Sequence, residues 1–122
     1  MSYERIALDG VLVLSPREAR IDMSNAEAFK DALLDAVGAA SKVMIVDLSS
    51  VEYISSAGLR SLMIAFKASK AGQKTMGIAG LQPLTREIFV ITRFNTVFTL
   101  FDGVRDAVVG LAPDAVTEFD AL

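Results

Sequence analysis

The sequence contains no cysteine and no histidine. Without cysteine there is no disulfide frame, no thiolate nucleophile and no thiolate metal ligand. Without histidine there is no imidazole base, no phosphohistidine and no histidine-bearing triad. Carboxylate, hydroxyl, lysine and arginine chemistry remain, and the balance tilts toward binding rather than catalysis. No stretch approaches the roughly 18 uninterrupted apolar residues of a membrane helix. The opening Met1-Ser2-Tyr3-Glu4-Arg5 has no basic segment followed by an apolar run, so no signal peptide is expected. These absences predict a soluble, cytoplasmic protein. Lys and Arg form no cluster and the net charge is −3, a poor footprint for a nucleic-acid backbone.

What is present is an apolar majority, 52% of 122 residues, enough for the core of one domain. Two β-rich runs, Ile6–Asp9 and Val11–Leu14, flank Asp9-Gly10 and predict a hairpin, with Pro16 ending its regular pairing. A helix is predicted after Met23-Ser24-Asn25, its apolar stripe running Phe29, Leu33, Val37 and Ala40. Ser24 with Glu27 fits a capping box, and Asn25 is an equal candidate for the N-cap. The continuous apolar run Lys42-Val43-Met44-Ile45-Val46-Asp47-Leu48 predicts a central strand buried on both faces.

After a loop over Ser49–Ser56, a second helix is expected to bury Leu59, Leu62, Met63 and Phe66. A strand over Lys74–Ala79 follows, then a third helix with Pro83 in its first turn and Leu84, Ile88 and Ile91 inward. A last strand over Val97–Phe101 and a fourth helix, capped by Asp102 and packed through Val104, Val108 and Leu111, complete the domain. Strands alternating with helices predict an α/β fold: a single mixed sheet of about five strands, the later ones parallel, with about four helices. The domain is placed at residues 1–112. The tail, 113–122, is expected either to fray or to dock through Phe119.

In open α/β sheets, chemistry gathers where strand C-termini meet helix N-termini. That edge carries Asp22, Asp47 and the loop Tyr53-Ile54-Ser55-Ser56-Ala57-Gly58-Leu59. Its hydroxyls stand at a helix start, where unpaired N–H groups and the helix dipole favour negative charge. Gly58 would let a partner backbone approach closely. A simpler reading makes Ser55 or Ser56 an N-cap and Gly58 a packing residue. Asp47, ending a central strand, is also where a receiver domain would take phosphate. A receiver needs an acidic pair after its first strand and a lysine after its last; the last strand ends in Asp102-Gly103 with no lysine, so Asp47 reads as structural. No Gly-rich nucleotide loop occurs.

The segment Ile45-Val46-Asp47-Leu48-Ser49-Ser50-Val51-Glu52-Tyr53-Ile54-Ser55-Ser56-Ala57-Gly58-Leu59-Arg60 resembles the signature of STAS domains, and within them the stand-alone anti-sigma factor antagonists of bacteria. The resemblance implies a STAS-like fold over nearly the whole chain and a non-catalytic, protein-binding switch. It puts the phosphate acceptor at Ser56, two residues before the loop glycine. Where the family often carries Asp before the acceptor, this chain has Ser55, which stays open as a substitute acceptor. Asp22 matches the family's acidic position beside the acceptor. The implied partner surface comprises Asp22, Asn25, Ser55, Ala57, Gly58 and Arg60. The implied partners are an anti-sigma factor acting as serine kinase and a phosphatase that resets Ser56. No cofactor is expected on this chain, ATP and Mg²⁺ being the kinase's. A homodimer, a scaffold role in a larger signalling or transport assembly, and phosphate on Asp47 remain open alternatives.

Overall fold

The computed structural model describes residues 1–122. A hairpin opens the chain, β1 (Tyr3–Leu8) antiparallel to β2 (Val11–Pro16), with Leu8 facing Val11 across Asp9-Gly10. Gly10 takes φ +80°, the left-handed region that glycine enters without steric cost. Pro16 closes the ladder opposite Tyr3, as the last residue of β2. Three strands then add in parallel, β4 (Val43–Asp47), β6 (Thr75–Ala79) and β7 (Thr99–Phe101), giving the order β1-β2-β4-β6-β7. Two short segments, β3 (Arg20–Ile21) and β5 (Tyr53–Ile54), pair in parallel as a separate ribbon. This ribbon is too short to carry a periodic signal and falls within segments that read as loops.

The helices are α1 (Ala26–Ala39), α2 (Ser56–Ala71), α3 (Pro83–Ile91), α4 (Val104–Leu111) and α5 (Val116–Asp120). Side chains alternate across a strand, so β2 and β4 split their apolar runs between two cores. Leu12, Leu14, Met44 and Val46 meet α1, α2 and α3 in the larger one, around Phe29, Leu33, Leu62 and Phe89. Val11, Val13, Val43 and Ile45 meet α4 in the smaller one, through Ala107 and Val108. The expected continuous apolar strand is therefore covered on both faces. No helix is long and apolar enough to cross a membrane.

Several local expectations are corrected. On α3 the buried residues are Thr85 and Phe89, with Ile88 packed beside them, whereas Leu84 and Ile91 face solvent. Thr85 wins the inner position because its hydroxyl donates to the Val51 carbonyl, so a polar residue interrupts the expected apolar stripe. Asp102 does not cap α4: Gly103 is the N-cap, without a side-chain bond, and Asp102 instead faces Arg86 at 3.6 Å. Strand β7 begins at Thr99. The chain before it winds through a 3-10 turn, Phe94–Thr96, that brings Phe94 and Phe98 against Phe66 and Phe89. Residues 113–122 form a 3-10 turn and α5, with Val116 and Phe119 against the smaller core. Glu118 accepts from the Asp9 amide, and Arg105 forms a two-pronged pair with Asp120 at 3.0 Å.

Candidate functional site

The strand order runs without reversal, so the sheet has no central crevice of the kind that holds small ligands in doubly wound folds. The edge at the strand C-termini instead presents a corner made by the starts of α1 and α2. The ribbon of β3 and β5 positions it. Ile21 pairs with Ile54, and the Ser55 amide donates to the Ile21 carbonyl at 2.8 Å. One step further along this register Asp22 lies beside Ser55. A second tie links the helices: the buried Ser61 hydroxyl on α2 donates to the Ala26 carbonyl on α1 at 2.9 Å. The corner is thus fixed from two sides.

Which serine caps α2 is resolved by backbone geometry. Ser55 is extended, at φ −84° and ψ 174°, and its hydroxyl accepts from the Gly58 amide at a long 3.4 Å. Ser55 is the N-cap and Ser56 the first helical residue. Ser56 is exposed and its hydroxyl has no hydrogen-bond partner within the chain. The two readings of this loop therefore fall on different residues.

Gly58 is buried and faces inward, which corrects its expected place on the partner surface. A Cβ there would stand 2.6 Å from Ile54 Cγ1 and 2.8 Å from Ile21 Cγ2, inside contact distance. Glycine is needed because α2 crosses the ribbon at close range, not because a partner approaches it. Asn25 is half-buried and its side chain also turns inward. Its carboxamide oxygen accepts from the Asp22 amide and its nitrogen donates to the Arg20 carbonyl, both at 2.9 Å. Asn25 is the N-cap residue of α1, one of the two expected candidates, although its side chain makes no capping hydrogen bond. The capping box is absent too, for the Ser24 hydroxyl turns back to Asp22 at 2.6 Å.

Asp22, half-buried, accepts that hydroxyl and the Ser24 amide through one oxygen, while Arg20 approaches the other at 3.9 Å. The Ser24 hydroxyl, then its amide, stabilise the carboxylate and hold it below its ordinary titration range, with Arg20 adding a smaller pull. Arg20 also lies over the Tyr53 ring at 4.5 Å. Asp22 is therefore a turn-forming carboxylate, charged at neutral pH, at the corner where Ser56 is exposed.

Between the two helix starts runs a shallow groove. Met23, Glu27 and Lys30 line one side, and Ala57, Arg60 and Ile64 the other. Sequence periodicity does not disclose it. Met23 is 84% exposed, an apolar side chain offered to solvent on the groove wall. Asp47 plays a different part. One of its oxygens accepts from the Ser15 hydroxyl and the other from the Ser49 amide, which binds it to the strand edge. No group of three or more carboxylates stands close enough to hold a metal ion.

The geometry is matched by known proteins. RsfB of Mycobacterium tuberculosis, an anti-sigma-F factor antagonist, is 31% identical over 104 residues, 84% of this chain and 83% of its own length. The crystal structure of an anti-sigma factor antagonist from Mycobacterium paratuberculosis superposes with a TM-score of 0.81 at 27% identity, covering 90% of this chain and 92% of that one. SpoIIAA, an anti-sigma factor antagonist, matches in its unphosphorylated form with a TM-score of 0.75 at 11% identity, over 92% of this chain and 97% of that one. The phosphorylated form of SpoIIAA from Bacillus gives 0.65 at 12% identity, over 88% and 96%. At such identities the likeness to SpoIIAA is one of fold. Residues 3–107 match the STAS domain family, and with this span, this sheet and this loop the chain belongs to that family.

Proposed function

We propose that the protein is an anti-sigma factor antagonist, a non-catalytic switch that binds an anti-sigma factor through the α1–α2 corner and is released by phosphate on Ser56. The observation that carries this reading is the division of labour between the two serines. Ser55 caps the helix, and Ser56 stands exposed at its first position with its hydroxyl uncommitted. The similarity to RsfB supports the class of partner.

The cycle follows from chemistry that this chain has and lacks. Unmodified, the corner docks through Asp22, Ser55, Ser56, Ala57 and Arg60. The partner supplies ATP, Mg²⁺ and the base. The Ser56 oxygen bonds to the γ-phosphorus as the bond to the ADP oxygen breaks, and the hydroxyl proton passes to the partner's base. The product adds up to about two negative charges. In solvent they are tolerated near the positive end of α2. Buried against the partner they would lose water without compensation, at a cost on the order of several kcal/mol. Each ~1.4 kcal/mol is tenfold in affinity, so binding is lost. A separate phosphatase restores the hydroxyl.

Calorimetry with the anti-sigma factor from the native host tests this. Ser56→Ala is expected to bind as wild type and to resist modification, and Ser56→Asp to bind at least tenfold more weakly. Equal affinity for both variants, or phosphate mapped by mass spectrometry to another residue, would overturn the reading.

A further inference from the structure

Arg60 differs from the other basic residues at this corner. Arg20 faces Asp22 and Tyr53, and Lys30 is bound to Glu27 at 2.7 Å. Arg60 is exposed and takes part in no ion pair and no side-chain hydrogen bond. Nor is there an acidic residue in the first turn of α2. A helix start is stabilised by negative charge and disfavours positive charge. Arg60, the fifth residue of α2, is thus an unpaired cation one turn beyond Ser56, and no acidic residue of the first turn offsets it.

Residues four apart on a helix are surface neighbours, and helical side chains lean toward the N-terminus. Arg60 therefore leans over the turn that begins at Ser56. We infer that Arg60 is the internal counter-ion of a phosphate on Ser56, and that forming this pair draws its guanidinium out of the α1–α2 groove. The inference rests on the proposed function for its choice of acceptor. Phosphorylation then alters the docking corner twice. It adds an anion at Ser56, and it withdraws a cation from the groove wall opposite Lys30, whose own charge remains tied to Glu27. A partner presenting a carboxylate to this groove loses its attraction as well as meeting repulsion. The other charges of the corner, Asp22 with Arg20 from the ribbon and Glu27 with Lys30 from α1, are already paired and change little.

The test uses full-length protein with phosphoserine incorporated genetically at position 56, so that no kinase is needed. Phosphorus NMR follows the second ionisation of the phosphate in the wild-type background and in Arg60→Gln and Arg60→Lys. The midpoint is expected to rise by about 0.15–0.35 pH unit in Arg60→Gln, the size of a helical ion pair. Arg60→Lys should stay near wild type, and the Arg60 Nε–H resonance should move when serine is replaced by phosphoserine. Identical midpoints in all three proteins, an unmoved Nε–H resonance, or a lysine variant that behaves as glutamine would overturn the inference. Because the phosphate is installed directly, absence of Ser56 modification in the native host would sink the proposed function while leaving this measurement intact.

Discussion

The two faces of the sheet carry unequal burdens. One is covered by α1, α2 and α3 over a core of 22 buried residues, the other by α4 and the tail over 8. The candidate site lies wholly on the first. Its surface residues can be polar, exposed and uncommitted because rigid parts beneath them, the β3–β5 ribbon, Gly58 and Ser61, hold the corner in place. The second face shows no such construction. Its outer layer is tied down by the exposed Arg105–Asp120 pair and by half-buried aromatics.

The largest test of this contrast is Phe29→Ala, which empties a fully buried site in the main core and is expected to cost about 3–5 kcal/mol in chemical denaturation. On the other face, Phe119→Ala removes only a half-buried ring and should cost about 1 kcal/mol or less. Equal losses would erase the asymmetry.

Gly58→Ala comes next. Overpacking against Ile21 and Ile54 costs about 1–3 kcal/mol, offset in part by the ~1 kcal/mol helix preference of alanine. A stabilised variant would show that the ribbon yields and that the corner is soft. Ser61→Ala should lose about 0.5–1.5 kcal/mol with the bond to Ala26, whereas Ser56→Ala should leave stability within about 0.5 kcal/mol. That pair separates a serine that builds the corner from one exposed upon it.

The smallest effect is in acid. Asp22 and Asp120 are both held below the ordinary carboxylate range, the first by Ser24 and the second by the Arg105 hydrogen bond. A carboxylate whose folded value is depressed gives its full stabilisation above its unfolded value near 3.8, and loses it as pH falls through the folded value. Asp120→Asn should therefore lower stability relative to wild type at neutral pH, and the two denaturation curves should converge in strong acid. A gap that widens as pH falls would reverse the assigned sign.

Legibility varies from element to element. Strand β4 and helix α1 are plain because their apolar periodicity is long and uninterrupted. Helix α3 misleads: Leu84 and Ile91 fit an apolar stripe, yet a hydroxyl reaching the Val51 carbonyl and the aromatic cluster around Phe89 set its rotation one residue away. Asp102 is a plausible cap by residue type, but it turns outward to Arg86. At the site, the loop motif lies at the α1–α2 corner, whereas the contacts of Gly58 and of the Asn25 side chain run inward, onto the ribbon and the turn that supports it.

By itself the amino-acid order determined the alternation of strands and helices, the doubly covered central strands and the serine-rich helix entrance, since periodicity and turn chemistry act over a few residues. Only the tertiary structure decided which serine caps and which stands exposed, that glycine serves the ribbon, and that α1 and α2 share a groove. Those outcomes depend on contacts between segments some 30 residues apart, such as Ile21 with Ile54 and Ser61 with Ala26, which no local pattern encodes.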